Sequence, residues 1–346
     1  MACQTLAKVL RRSVGHPDAP PATSFQLRYP LQIHAELMTH RVFSRNARSS
    51  RAVPTERMLT EVLQEPFIPR YWGANQKGMQ AGVEHDAVLE YLLPEVLDDV
   101  SFDRTMFEKT WGYETDEHGT KSLDKLVWGG GDAECAWLSA RDWAVHFARA
   151  FANAGYHKQI ANRLLAPFLH IDVVLTTTDL SNWDALRDHD MAEPHIRDLA
   201  IAMKEAVAAY GEPSRLRPGE WHLPYFIPVE QKAIGLVGYV TDEDRKTRFI
   251  REGDEVLDTE TARACSVTRC AQVSYTPFHE ARLTVAEEVA RHDALVSAQP
   301  MHASPAEHQA TPDTRLPNGE WANPHLAGNL GPGWIQYRKT LSGERA

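Results

Sequence analysis

The chain has 346 residues, 43% apolar and 24% charged, with a net charge of −10 and no apolar run approaching a membrane span of roughly 18 residues. That length can bury a core in one large domain or two modest ones, and the composition is that of an ordinary globular protein. The acidic balance excludes a non-specific nucleic-acid coat, and residues 1–12 lack the apolar region of a signal peptide, so a cytoplasmic protein with no membrane or nucleic-acid partner is expected.

Residues 1–23 are polar and Pro-containing and read as a flexible arm. Residues 25–33 alternate apolar and polar side chains, which predicts a strand with Pro30 at a bulge or edge. A helical turn over residues 36–40 follows. Pro54 and Thr55 ahead of Met58, Leu59, Val62 and Leu63 open a short helix, and residues 72–78 form a turn-rich connection. Gly129, Gly130 and Gly131 lack the following Lys-Ser/Thr of a phosphate loop and read as a flexible hinge before a helix. Trp137, Ala140, Trp143, Phe147 and Phe151 recur at helical spacing up to about Gly155. Residues 160–165 continue as a second helix, and 168–175 as a buried strand or an apolar helix segment. Pro194 starts a helix through Val207. Residues 211–260, rich in Pro, Gly and charge, read as a linker or surface insertion. Residues 283–297 are helical, and 334–337 a short strand.

The chemistry concentrates in residues 39–52, Thr-His-Arg-Val-Phe-Ser-Arg-Asn-Ala-Arg-Ser-Ser-Arg-Ala. Arginines are rarely buried unpaired, and their forked donors suit phosphates and planar acceptors. In an acidic protein, such a segment is a local device for a small anionic ligand. Cys3, Cys135, Cys265 and Cys270 show no Cys-x-x-Cys spacing and read as idle thiols in a reducing compartment. His302, Glu307 and His308 are candidate metal ligands, but Pro305 breaks the helical spacing that aligns two of them, and no metal is expected.

The segment resembles the R-H-R-x-x-S-x-N-x-x-S-x-R-Y signature of the flavin-dependent thymidylate synthases, the ThyX family. His40, Arg41, Ser44, Asn46, Ser49 and Arg51 match in register. Thr39 replaces the first Arg, Ala47 a Glu and Ala52 the Tyr. A second stretch matches through Arg163, Thr176, Asn182 and Arg187, with Glu193 in place of a Gln; Glu36 replaces another. A third, Arg269 to Tyr275 followed by His302 to His308, resembles family elements that ordinarily precede the signature, so the order implies a circular permutation. The resemblance implies an α/β (α+β) fold, a mixed or antiparallel sheet flanked by helices. Residues 24–210 would be its core and 261–346 the permuted remainder.

It also implies FAD-dependent transfer of a one-carbon unit from 5,10-methylenetetrahydrofolate to a pyrimidine nucleotide, with NADPH as reductant and a homotetrameric assembly. Ser49, Arg51, Arg163, Arg187 and Glu36 would bind the substrate, with Arg187 catalytic. Thr39, His40, Arg41, Asn46, Thr176, Asn182, His302, Ser304 and Glu307 would bind cofactor. The substrate expectation is dUMP, with dCMP as alternative. A non-catalytic nucleotide- or flavin-binding protein and a metal-dependent hydrolase are the other readings the residues leave open.

Overall fold

The computed structural model describes residues 5–92, 113–115, 121–123, 128–217, 219–231, 234–241, 248–275 and 283–344. The chain opens with β1 (Leu6–Val14) and β2 (Ala22–Pro30), then a 3-10 turn (Leu31–Ile33), α1 (His34–Leu37), β3 (Ser44–Ala47) and α2 (Thr55–Gln64). β4 (Leu89–Leu92), β5 (Tyr113–Thr115), β6 (Lys121–Leu123) and β7 (Trp128–Gly131) form two short antiparallel pairs, β4 with β7 and β5 with β6. Next come α3 (Ala133–Asn153), α4 (Lys158–Ala161), a 3-10 segment (Asn162–Phe168), β8 (His170–Thr177), α5 (Ser181–Arg187), α6 (Pro194–Tyr210) and β9 (Ser214–Arg215). The rest comprises β10 (Ile227–Gln231), β11 (Gly235–Val240), α7 (Thr259–Gln272), α8 (Val285–Ser297), a 3-10 turn (Ser304–Glu307), β12 (Ala310–Pro312), β13 (Trp334–Gln336) and α9 (Tyr337–Thr340).

The central sheet runs β3-β8-β2-β1-β9, antiparallel throughout except for the parallel β1–β9 pair. A mixed sheet with flanking helices is the α+β architecture expected. β8 sits one strand in from the edge, and all eight of its residues are buried. Its alternation explains why: Ile171, Val173 and Leu175 pack with Leu199 and Met203 of α6, while Val174 packs with Leu223, Tyr239 and Cys265. A strand covered on both faces reads as a continuous apolar run, which is why its sequence left strand and helix open. Among the described residues no helix is long and apolar enough to cross a membrane.

The helices over 55–64, 133–153, 194–210 and 285–297 form where the periodicity placed them, each with a local start signal. Asp132 accepts from Cys135 N at 2.8 Å, and Glu193 caps α6 ahead of Pro194 at its first turn. Thr284 and Glu287 form a capping box on α8.

Four expectations are corrected. Much of the supposed arm is β1, whose Lys8, Arg11 and Arg12 obscured the pattern although Arg11 is 2% exposed. Residues 211–260 are no linker: Leu223, Phe226, Val229 and Tyr239 are core. Their glycines serve the hairpin; Gly235 turns it at φ 85°, and a Cβ on Gly238 would meet Leu257 O at 2.3 Å. Gly129–131 belong to β7 instead of a hinge. The helix over 160–165 is one α-turn followed by 3-10 structure, where Pro167 cannot donate to an α-helical ladder. The sequence also gave no sign of α7: its buried side chains, Ala262, Cys265, Ser266 and Thr268 among them, are small or polar and draw no apolar stripe.

Candidate functional site

β3 is an edge strand whose alternation sends Ser44 and Asn46 inward. Asn46 Nδ2 donates to Cys270 O at 3.2 Å, and Ser49 N donates to Ser274 O at 3.0 Å. The end of α7 is thereby bonded to the signature segment. The 304–307 turn packs on β3, and Gln336 Nε2 reaches both Ser44 Oγ at 3.3 Å and Glu307 O at 2.9 Å. The three stretches singled out in the sequence therefore meet at one strand.

At the start of the segment, Arg187 joins α5 to α1. Its Nη1 donates to Glu36 Oε2 at 2.8 Å and its Nε to His40 Nε2 at 3.1 Å. His40 is 6% exposed, stacked on Phe43 at 5.5 Å and edge-on to the buried Trp183 at 4.9 Å. To accept from Arg187, its Nε2 must be unprotonated. Burial pushes the His40 pKa down and the Arg187 charge adds to this, while a hydrogen bond with the Asn182 side chain opposes them. A neutral imidazole is thus held as an acceptor, and it aims the guanidinium. The Glu36 carboxylate thus lies beside the Arg187 donors that these two bonds leave over.

The end of the segment is a turn, 49–53, in which Ala52 N and Val53 N both donate to Ser49 O. Fully buried Asn162 ties it down, its Nδ2 donating to Ser50 O at 2.8 Å and Val53 O at 3.0 Å, and Lys158 Nζ donates to Ala52 O at 2.7 Å. These bonds bring Arg163, the residue after Asn162, to the turn that carries Arg51. Arg51 and Arg163 are exposed, as is Arg41, and their guanidinium groups make no hydrogen bond or ion pair among the described residues. A satisfied backbone presenting free guanidinium groups is a chemically ready anion site.

Other expected residues divide into two groups. Asn182, His302 and Ser304 are exposed and open to a ligand. Thr39 Oγ1 turns back to Glu36 O at 2.7 Å, Asn46 serves α7, and Glu307 pairs with Arg338. Thr176 lies wholly inside, in a buried chain from His308 Nδ1 (2.9 Å) through Thr176 to Ser24 Oγ (2.6 Å) and His222 Nε2 (2.8 Å). Its hydroxyl faces no open surface of this chain. Glu193 is spent on the α6 cap and on His195 at 2.6 Å, so it is not offered to a base. Among the described residues no group of three His, Cys, Asp or Glu is placed to hold a metal ion. Cys265 is buried with its thiol pushed up to about 12, chiefly by burial, and is no activated nucleophile. Sequence reasoning missed Trp183, which packs against His40; its position directly after Asn182 was the available signal.

Burial, aided by the Arg28 charge, lowers the His170 pKa to about 4, and burial takes His308 to about 3. An unfolded histidine takes up its proton near pH 6.5, whereas these stay neutral, so the unfolded state binds more protons and stability falls as pH drops from about 6.5 towards 4. Replacing His170 by Gln removes one of these terms. The melting-temperature gap between wild type and H170Q is expected to shift in favour of the variant between pH 7 and pH 4.5; a gap constant with pH would contradict the assignment.

No family model and no curated protein matches the chain. Among solved structures it is similar to the flavin-dependent thymidylate synthase ThyX from Helicobacter pylori complexed with FAD and dUMP, at 14% identity over 55% of this chain and 69% of that one, with a TM-score of 0.30. It is also similar to the UMP/dUMP methylase PolB from Streptomyces cacaoi bound with 5-Br dUMP, at 17% identity over 59% of this chain and 70% of that one, with a TM-score of 0.33. At such identity and superposition neither likeness assigns a residue or a substrate to this chain.

Proposed function

We propose that the chain is a flavin-dependent pyrimidine-nucleotide methyltransferase that places a one-carbon unit on C5 of dUMP. The observation that carries this is the meeting of the three sequence stretches at β3, with Arg51 and Arg163 unpaired at one end and the Glu36–Arg187–His40 cluster at the other. In this reading Arg51, Arg163 and Ser49 hold the 5′-phosphate. Arg187, oriented by His40 and Glu36, donates to the base and stabilises negative charge developing on the pyrimidine. No enzyme nucleophile is required, in keeping with the buried, high-pKa Cys265.

For FAD, the fitting groups are the free Arg41, exposed Asn182, His302 and Ser304, and His40, which Asn182 touches. Thr39, Asn46, Thr176 and Glu307 fit a supporting role, since their side chains are already bonded within the chain. Reduced FAD, when bound, supplies the hydride, methylenetetrahydrofolate the carbon and NADPH the renewal of the flavin. The contact of the 269–275 and 302–308 stretches with β3 supports the permuted order, with 24–210 and 261–346 forming one core.

One observation favours a second substrate. The Glu36 carboxylate is an acceptor that the amino group of cytosine would satisfy, which keeps dCMP as the alternative. Arg187 favours dUMP, because its donors complement the C4 carbonyl of uracil and would face the amine of cytosine. Anaerobic incubation of dUMP and dCMP in parallel, with methylenetetrahydrofolate and NADPH, separates the two by product mass. The expected result is a yellow protein bleached by NADPH and a one-carbon gain on dUMP. A colourless protein that alters neither nucleotide would sink the reading. The open placement of Arg51 and Arg163 also suits a homotetramer in which a second chain closes the site; a monomeric mass by light scattering, with flavin bound, would overturn that assembly.

A further inference from the structure

The residue between Ala47 and Ser49 has no part in the signature, yet it is where the chain leaves the sheet. The β3–β8 ladder ends at Ala47 opposite Val173; Arg48 N then donates to Asp172 O at 2.8 Å, and Ser49 N turns away to Ser274 O. The Arg48 side chain, 5% exposed, donates from Nη1 to Glu61 Oε1 at 2.6 Å, while Nη2 lies 2.6 Å from Oε2 as an ion-pair contact and donates to Met58 Sδ at 3.5 Å. Glu61 belongs to α2, which begins at Thr55, just beyond the turn. One ion pair therefore links the strand that enters turn 49–53 to the helix that leaves it. Arg28 backs the pair, donating to Glu61 at 3.3 Å and to Asp172 at 3.2 Å, while Asp172 is 3% exposed.

We infer that Arg48 and Glu61 form a positioning clamp that sets the direction in which Arg51 presents its guanidinium. Neither side chain reaches the open surface as Arg51 does; they act through the backbone of the turn. Asn162 and Lys158 fix the carbonyls of the same turn, and the clamp adds a side-chain restraint where the strand enters it and the helix leaves it. A close, buried Arg–carboxylate pair is suited to this, because both guanidinium arms lie against the carboxylate and the planar group resists rotation. Preorganisation of this kind matters most where a ligand is held by charge at one end.

The inference rests on the reading of Arg51 and Arg163 as phosphate-holding, and the experiment separates the two. Binding of dUMP and of deoxyuridine, which lacks the phosphate, is measured by calorimetry on the full chain as purified. The variants are Glu61→Gln, Arg48→Lys and Arg48→Met. The expected result is a dUMP dissociation constant raised about tenfold or more in Glu61→Gln and Arg48→Met, smaller in Arg48→Lys, with deoxyuridine binding changed less than about twofold. Glu61→Gln keeps shape and one acceptor, so it reports even if Arg48→Met fails to fold. If the variants bind dUMP as wild type does, or lose both ligands equally, the clamp is overturned. If wild type itself binds dUMP no better than deoxyuridine, the phosphate reading fails first, and the clamp with it.

Discussion

Replacing Arg51 and Arg163 together by Ala is expected to raise the dUMP dissociation constant by about 10²- to 10⁴-fold, with little change in melting temperature. Each charged hydrogen bond to a phosphate is worth about 1.5–3 kcal/mol, and every 1.4 kcal/mol is about tenfold in affinity. The singles should each cost about 10- to 100-fold, and the double at most their product, because both act on one ligand group. Folding should be spared: both guanidinium groups are exposed and, among the described residues, unpaired, so their removal leaves no buried partner there orphaned. The contrast with Arg48 is instructive, since that residue is buried and paired and its loss leaves the partly buried Glu61 with only the longer contact to Arg28. Calorimetry with dUMP, paired with a thermal melt, checks the claim. Wild-type affinity in the double variant would remove the phosphate site from this turn.

What the sequence disclosed depended on how each element is covered. Helices with one buried face, such as α3 and α6, print a 3.6-residue stripe and were readable with their caps. β1 was not, because the polar residues around Val9 and Leu10 include Arg11, which is buried nonetheless. Residues 211–260 read as a linker or surface insertion because their Pro and Gly content hides seven buried core residues between Leu223 and Val240, namely Leu223, Tyr225, Phe226, Ile227, Val229, Tyr239 and Val240. The signature residues themselves were legible, but not their division of labour. Asn46 and Ser49 reach residues of the 270–274 stretch, contacts that no local periodicity encodes. Glu193 shows the reverse: standing where the resemblance has a Gln, it is a helix cap, as Pro194 beside it already indicated.

Arg187→Ala is expected to lower the single-turnover rate by about 10²- to 10³-fold, the scale seen when one preorganised donor to developing charge is removed. Its effect on dUMP binding should be smaller, because the phosphate end carries the charge-assisted contacts. The geometry explains why Lys should not restore the rate. One ammonium cannot donate to Glu36 and His40 from fixed positions while aiming further donors at a base, as the planar fork does. Glu36→Gln separates orientation from charge: it keeps an acceptor for Arg187 but removes the carboxylate, so a modest rate loss with unchanged preference for dUMP is expected. Measuring Kd and single-turnover rate in parallel decides the matter. If Arg187→Ala weakens binding while the single-turnover rate at saturation stays intact, Arg187 is a binding residue only. If Glu36→Gln instead shifts a dCMP-specific enzyme towards dUMP, the carboxylate, and not the guanidinium, reads the base.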